Sequence, residues 1–167
     1  MRLPPPPPLT PLAAAVLQVG APERVLDLAC GDGEATLFLA REFPRARVRG
    51  VDASEQAIRR ATSRVGLDPE GRIAFKLGKP RSLPFPDDHF DLLVALDTAP
   101  AGAEAARVLR AGGHLIVART DGAVALAGLL RWRLARRGFE PVHSEAAGDG
   151  SFAVVRMTGG WPHTASV

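Results

Sequence analysis
Hydrophobic and polar positions along the chain fall into two alternating kinds of segment. Short runs dense in Val, Leu and Ile occur at 25–29, 48–51, 72–77, 90–96 and 114–118. Each has the length and composition of a strand buried on both faces. Between them lie stretches with apolar residues three and four apart, which predict helices over 34–43, 54–65, 103–109 and 122–137. Punctuation supports these boundaries: Pro44 stops the first helix, Ser54 caps the second, and Gly66 and Gly138 stand just past helix ends. The Ala-Gly-Gly turn at 111–113 closes the helix over 103–109. A further short helix is expected at 12–19. Near the end, 142–145 and 152–157 read as two strands joined by Ala-Gly-Asp-Gly, a hairpin signal. Strands alternating with helices predict an α/β three-layer sandwich with a mainly parallel, seven-stranded sheet and one antiparallel strand.

Composition narrows the setting. The 167 residues suit one domain, and 46% hydrophobic with 23% charged content suits a globular one. The proline run Pro4–Pro8 is extended and cannot join a core. Residues 1–11 are therefore expected to form a tail, 12–160 the domain, and 161–167 a second tail. No apolar run approaches the roughly 20 residues that span a bilayer, so no membrane partner is expected. The single cysteine, Cys30, forms no intrachain disulfide, which fits a cytoplasmic location. Net charge is only +3. Arg131, Arg133, Arg136 and Arg137 read as a solvated helix face, and a nucleic-acid partner is not expected.

Candidate chemistry gathers where strands end. In open α/β sheets, ligands bind beyond the carboxyl ends of the strands. Asp27–Gly33, Asp52, Asp97–Thr98 and Arg119–Asp121 all fall at that edge. Gly31 and Gly33 permit positive φ and close backbone approach, and the following helix aims its N-terminus at the loop. Asp52 follows Gly33 by 19 residues, the separation at which an acid meets ribose hydroxyls in dinucleotide folds. However, a dinucleotide fingerprint has an apolar strand and a third glycine. Here Asp27 lies in the strand and Thr36 takes the glycine's place. A carboxylate there suits an ammonium group, so the expected ligand joins an amino-acid end to a ribose. A nicotinamide-dependent oxidoreductase is correspondingly disfavoured.

VLDLACGDG, RGVDAS, SLPFPDDHFDLLVA and EAARVLRAGGHLIVA, spread over residues 23–120, resemble the motifs of class I S-adenosylmethionine-dependent methyltransferases of the small-molecule type. The resemblance implies strand order 3-2-1-4-5-7-6, with the last strand antiparallel, and S-adenosylmethionine as cofactor. It assigns Asp27 to the methionine amino group, Gly31 and Gly33 to the methionine moiety, Asp52 to the ribose and Ala53 to the adenine. Ala29, Cys30, Lys79, Pro80 and Leu96 complete the expected cofactor residues. Two departures stand out. Ala29 occupies a position where the family usually has glycine. Gly78-Lys79-Pro80 replaces a Gly-Asp-Ala whose acid bonds the adenine amino group; Lys79 cannot accept that bond and Pro80 has no N–H.

Methyl transfer from a sulfonium is an in-line displacement that asks mainly for alignment. Asp97 and Asp121 are the candidate bases. His89 and His114 precede their strands, at the edge away from the cofactor; His143 is a weaker candidate and His163 lies in the tail. No metal site is expected. The implied activity is methylation of an unidentified small molecule; the alternative is a methyltransferase-like binding or scaffold domain without turnover. The segment after the fourth strand is about two helical turns shorter than the family's usual one. An open site results, closed by a second subunit, as in a homodimer, or by a large substrate.

Overall fold
A computed structural model describes residues 9–159; the proline run at 4–8, the tail at 161–167 and His163 lie outside them. The described residues form β1 (Arg24–Leu28), β2 (Arg47–Asp52), β3 (Ile73–Leu77), β4 (Phe90–Leu96), β5 (Leu109–Arg119), β6 (Phe139–Ala147) and β7 (Gly150–Met157). They make one sheet in the order β3-β2-β1-β4-β5-β7-β6. The first four pairings are parallel, whereas β7 runs antiparallel to both β5 and β6. Among the described residues, no helix is long and apolar enough to cross a membrane.

The period of two along the central strands divides the core in half. Leu26, Leu28, Leu93, Ala95, Leu115, Val117 and Val155 face one side, packed with α4 (Gly102–Val108) and α5 (Gly128–Ala135). Val25, Leu92, Val94, Ile116, Phe152 and Val154 face the other, under α1 (Thr10–Val16) and α2 (Glu34–Glu42). Each central strand is thus apolar on both faces, which is why those runs are continuous rather than alternating. α3 (Glu55–Arg64) begins at Ser54, whose hydroxyl accepts the Ala57 N–H at 3.2 Å.

α1, expected at 12–19, spans Thr10–Val16 and so begins within the residues expected as a tail. Three departures from the sequence expectation are larger. Residues 122–127 are not helical, although Leu126, Leu130 and Leu134 continue one helical spacing into the core. Ser151 on β7 holds this stretch open: its Oγ accepts the Ala125 N–H at 3.0 Å and donates to the Ala123 carbonyl at 2.8 Å. β5 starts at Leu109 rather than His114. Leu109 pairs with Phe90, and the ladder resumes at His114 opposite Leu92, so the Ala-Gly-Gly turn is absorbed as an irregularity within the strand. The edge strand β6 is longer than expected at both ends, 139–147 against 142–145. Its mostly exposed residues give no apolar alternation to read.

Candidate cofactor and acceptor site
The loop from β1 to α2 fixes the site. Asp27 is the fourth residue of β1 and faces α2; it is 1% exposed. The Thr36 hydroxyl, one turn into α2, donates to its Oδ2 at 2.6 Å. Burial pushes the carboxyl up to about 7, partly offset by the Thr36 bond and reinforced by the nearby Asp52 carboxylate. Asp52 ends β2 and braces the same loop, its Oδ2 accepting the Gly31 N–H at 3.0 Å and its Oδ1 the Ser54 N–H at 2.8 Å. Between the two acids, Ala29 has φ +52°. That left-handed conformation costs an alanine roughly 1 kcal/mol or more relative to glycine.

The two loop glycines serve different ends. A Cβ on Gly31, at φ +54°, would meet nothing within 4 Å, so the loop surface there is clear. A Cβ on Gly33 would stand 2.8 Å from the Phe75 ring and 3.1 Å from Ala61. Gly50 leaves a matching space, where a Cβ would be 2.6 Å from the same ring. Gly33 therefore lets β3 and α3 close against the start of α2.

Two clefts open along this edge, each of about 500 Å³ with its mouth included, and Ala29 lines both. The first is acidic. Asp27 forms part of it together with Cys30, Asp32, Glu34, Leu96, Asp97 and Thr120, and Leu9 comes from before α1. The second is apolar: Leu28, Val51, Ala53, Gly78, Pro80, Leu83 and Thr98–Ala101 enclose it, with Asp52 at one side. An acidic lining suits a cationic group and an apolar lining a flat ring. Ala29 borders both clefts, and Asp52 stands beside the second.

Of the residues singled out from sequence, Asp27, Ala29, Cys30, Leu96 and Asp97 line the first cleft, and Ala29, Asp52, Ala53 and Pro80 the second. Gly31, Gly33, Lys79 and Asp121 line neither. Lys79 is exposed and makes an isolated bridge with Ser82. Leu9, Leu83 and Pro100 were not singled out; each is an ordinary apolar residue whose place depends on chain path. Cys30 is buried, and desolvation pushes its thiol up to about 12, so it stays neutral.

Asp97 follows β4 with φ +55° and faces the first cleft. Thr120 holds it, the N–H donating to Oδ1 at 2.8 Å and the hydroxyl to Oδ2 at 2.6 Å. Asp121 instead pairs with Arg119 at 2.7 Å and accepts the Ala123 N–H. The Arg119 bond holds its carboxyl below the usual carboxylate range. His89, just before β4, and His114, within β5 opposite Leu92, line neither cleft. Among the described residues there is no cluster of three side chains able to hold a metal.

Comparison with known proteins gives this geometry a family. The family model described as "Methyltransferase domain" matches residues 25–113. The 27-O-demethylrifamycin SV methyltransferase of Amycolatopsis mediterranei is 35% identical over 115 residues, covering 64% of this chain and 42% of that protein. The ubiquinone/menaquinone biosynthesis C-methyltransferase UbiE of Geobacter sulfurreducens is 34% identical over 103 residues, covering 56% and 40%. The chain thus spans about two fifths of the length of these curated relatives. Among solved structures, a Haloferax volcanii putative methyltransferase in complex with the Trm112 methyltransferase activator superposes with TM-score 0.75 at 17% identity over 90% of each chain. A SAM-dependent methyltransferase from Aquifex aeolicus gives 0.74 at 18% identity, over 92% of this chain and 93% of that one. With β1, its loop and the strand order all in place, the chain belongs to the methyltransferase domain family, class I, whose cofactor is S-adenosylmethionine.

Proposed function
We propose that this chain binds S-adenosylmethionine across the two clefts and directs its methyl group to a small-molecule acceptor. The observation that favours this reading is the pair of carboxylates on adjacent strand ends, Asp27 and Asp52, flanking a cleared loop at Gly31. Asp27 is buried and partnered at Oδ2 only by Thr36, and it borders the acidic cleft. It would take the cofactor's ammonium. Asp52 would take the ribose hydroxyls while bracing the loop, and Ala53, Pro80 and Leu83 would pack on the base.

The cofactor supplies a sulfonium-bound methyl group. The protein's share is alignment and exclusion of water. Where the acceptor must lose a proton, Asp97 would receive it; it borders the acidic cleft, and Thr120 bonds both its oxygens. Asp121 lines neither cleft, and its bond to Arg119 favours the anion.

The curated relatives named above are a methyltransferase of 27-O-demethylrifamycin SV and a C-methyltransferase of ubiquinone/menaquinone biosynthesis. A small organic acceptor fits that company, as does a cytoplasmic setting for the lone buried thiol. A binding domain without turnover is the second reading. The five residues between β4 and α4, Asp97–Ala101, favour it because they give little cover to the acceptor side. That same opening would admit a second copy of the chain or a large substrate.

Titration calorimetry with S-adenosylhomocysteine tests the first reading. Saturable binding is expected, weakened tenfold or more by Asp52→Ala and by Asp27→Asn. Absence of binding at millimolar ligand refutes it. Binding without methyl transfer to any of a broad acceptor panel selects the second reading.

A further inference from the structure
The apolar cleft has few means of telling one purine from another. Three backbone N–H donors on its β3–β4 wall are already committed, and Pro80 lacks one. The Gly78 N–H goes to the Asp52 carbonyl at 3.0 Å, and the Ser82 N–H to the Lys79 carbonyl at 3.0 Å. The Leu83 N–H goes to Glu104 Oε2 at 2.7 Å. Lys79 and Arg81, the charged residues of this stretch, are exposed and do not line the cleft.

Only two lining side chains can hydrogen-bond at all, Asp52 and Thr98. Both Asp52 oxygens already accept backbone N–H groups, and its place at the end of β2 directs it to the ribose. That leaves Thr98, half-buried at the end of β4. Its hydroxyl both donates and accepts. It serves a 6-amino group, a donor, and a 6-oxo group, an acceptor, equally well. The other lining side chains are apolar or absent and offer the base shape alone.

We propose that the nucleobase cleft accepts 6-oxopurine and 6-aminopurine nucleosides alike, with Thr98 as its ambivalent polar contact. The inference rests on the cofactor reading given above, and it extends that reading to the base. A site that matches a polar group with a dedicated partner rejects an analogue lacking it by several orders of magnitude. A wall of prolines and aliphatic groups has no such partner to leave unpaired.

The test compares S-adenosylhomocysteine with S-inosylhomocysteine by calorimetry on the full chain. Dissociation constants within about threefold of each other are expected. A preference of thirtyfold or more for the adenosyl ligand overturns the inference and leaves the cofactor reading standing. Failure of both ligands to bind overturns the cofactor reading itself. Thr98→Val separates Thr98 from the apolar wall. It should weaken both ligands by the same factor, about three- to tenfold, with an unchanged melting temperature in the ligand-free protein. Loss confined to the adenosyl ligand would show Thr98 acting as a dedicated acceptor and overturn its ambivalent role.

Discussion
Asp27 is a carboxyl in a nearly dry position, and its protonation links pH to both folding and binding. Its ordinary value is 3.8 and burial raises it to about 7 in the fold. Between those values the native state holds a proton that the unfolded chain has released. The contribution of Asp27 to stability is therefore full at low pH and is lost as pH rises through 7. Binding has the opposite sign. An ammonium placed beside Asp27 favours the anion, so occupancy of the acidic cleft expels a proton whenever the ligand-free carboxyl is protonated. Affinity for S-adenosylhomocysteine should rise nearly tenfold per pH unit between 5.5 and 6.5, then level above about 7. Calorimetry at pH 6 in two buffers of different ionisation enthalpy should register proton release approaching one. Asp27→Asn should flatten the pH profile; a profile equally steep in the variant would assign the proton to another group. Two positions away, Ala29 carries the strain of a left-handed alanine. Ala29→Gly should raise stability in urea by about 0.5–1 kcal/mol, the relief at φ exceeding the entropy a glycine adds to the unfolded chain.

At the scale of elements, the 83–87 segment beside the apolar cleft depends on one arginine. Arg107 on α4 bonds Glu104 through Nε at 2.8 Å and Nη2 at 2.9 Å, and Asp87 through Nη1 at 2.9 Å. The same guanidinium donates to the carbonyls of Leu83 and Phe85, at 3.0 and 2.8 Å. Glu104 returns the contact by accepting the Leu83 N–H. The 83–87 loop has no strand or helix of its own, so this clamp fixes where Leu83 stands. Arg107→Ala should lower stability by about 2 kcal/mol, the usual scale for a partly buried, charge-assisted network that loses its centre. It should also weaken S-adenosylhomocysteine several-fold without touching a ligand atom. An unaltered dissociation constant would mean that the loop holds its place without Arg107. None of this was visible in the one-dimensional pattern. The alternating strands and helices were legible because each central strand is apolar on both faces and Asp27 and Asp52 interrupt that pattern. Asp27 and Asp52 could be singled out for the same reason. Leu83, Pro100 and Leu9 could not, because an apolar residue in a loop looks the same whether it lines a cleft or the core. The non-helical stretch before α5 was illegible for a related cause: the leucine spacing continues through it, and the side chain that holds it open, Ser151, comes from β7.

For the whole molecule, the two clefts draw on β1, β2, the β3–β4 loop, and the ends of β4 and β5, so one ligand would bridge most of the sheet's carboxyl edge. Ligand that binds only the native state stabilises it by mass action, by about 2.7 kcal/mol at a hundredfold excess over its dissociation constant. For a chain of this size, each kcal/mol moves the melting temperature by roughly 2–4 °C. Saturating S-adenosylhomocysteine should therefore raise it by about 5–10 °C at pH 8, where Asp27 is ionised. The shift should shrink at pH 6, because part of the binding energy is then used to remove the Asp27 proton. Asp52→Ala needs separate treatment. It removes the brace on the Gly31 and Ser54 N–H groups and lowers the melting temperature of the ligand-free protein on its own account. The informative quantity is thus the ligand-induced shift within each variant, which should fall below about 2 °C for Asp52→Ala at the same ligand concentration. A full shift in that variant would place the ligand off the end of β2, and with it would fall the assignment of the apolar cleft to the base.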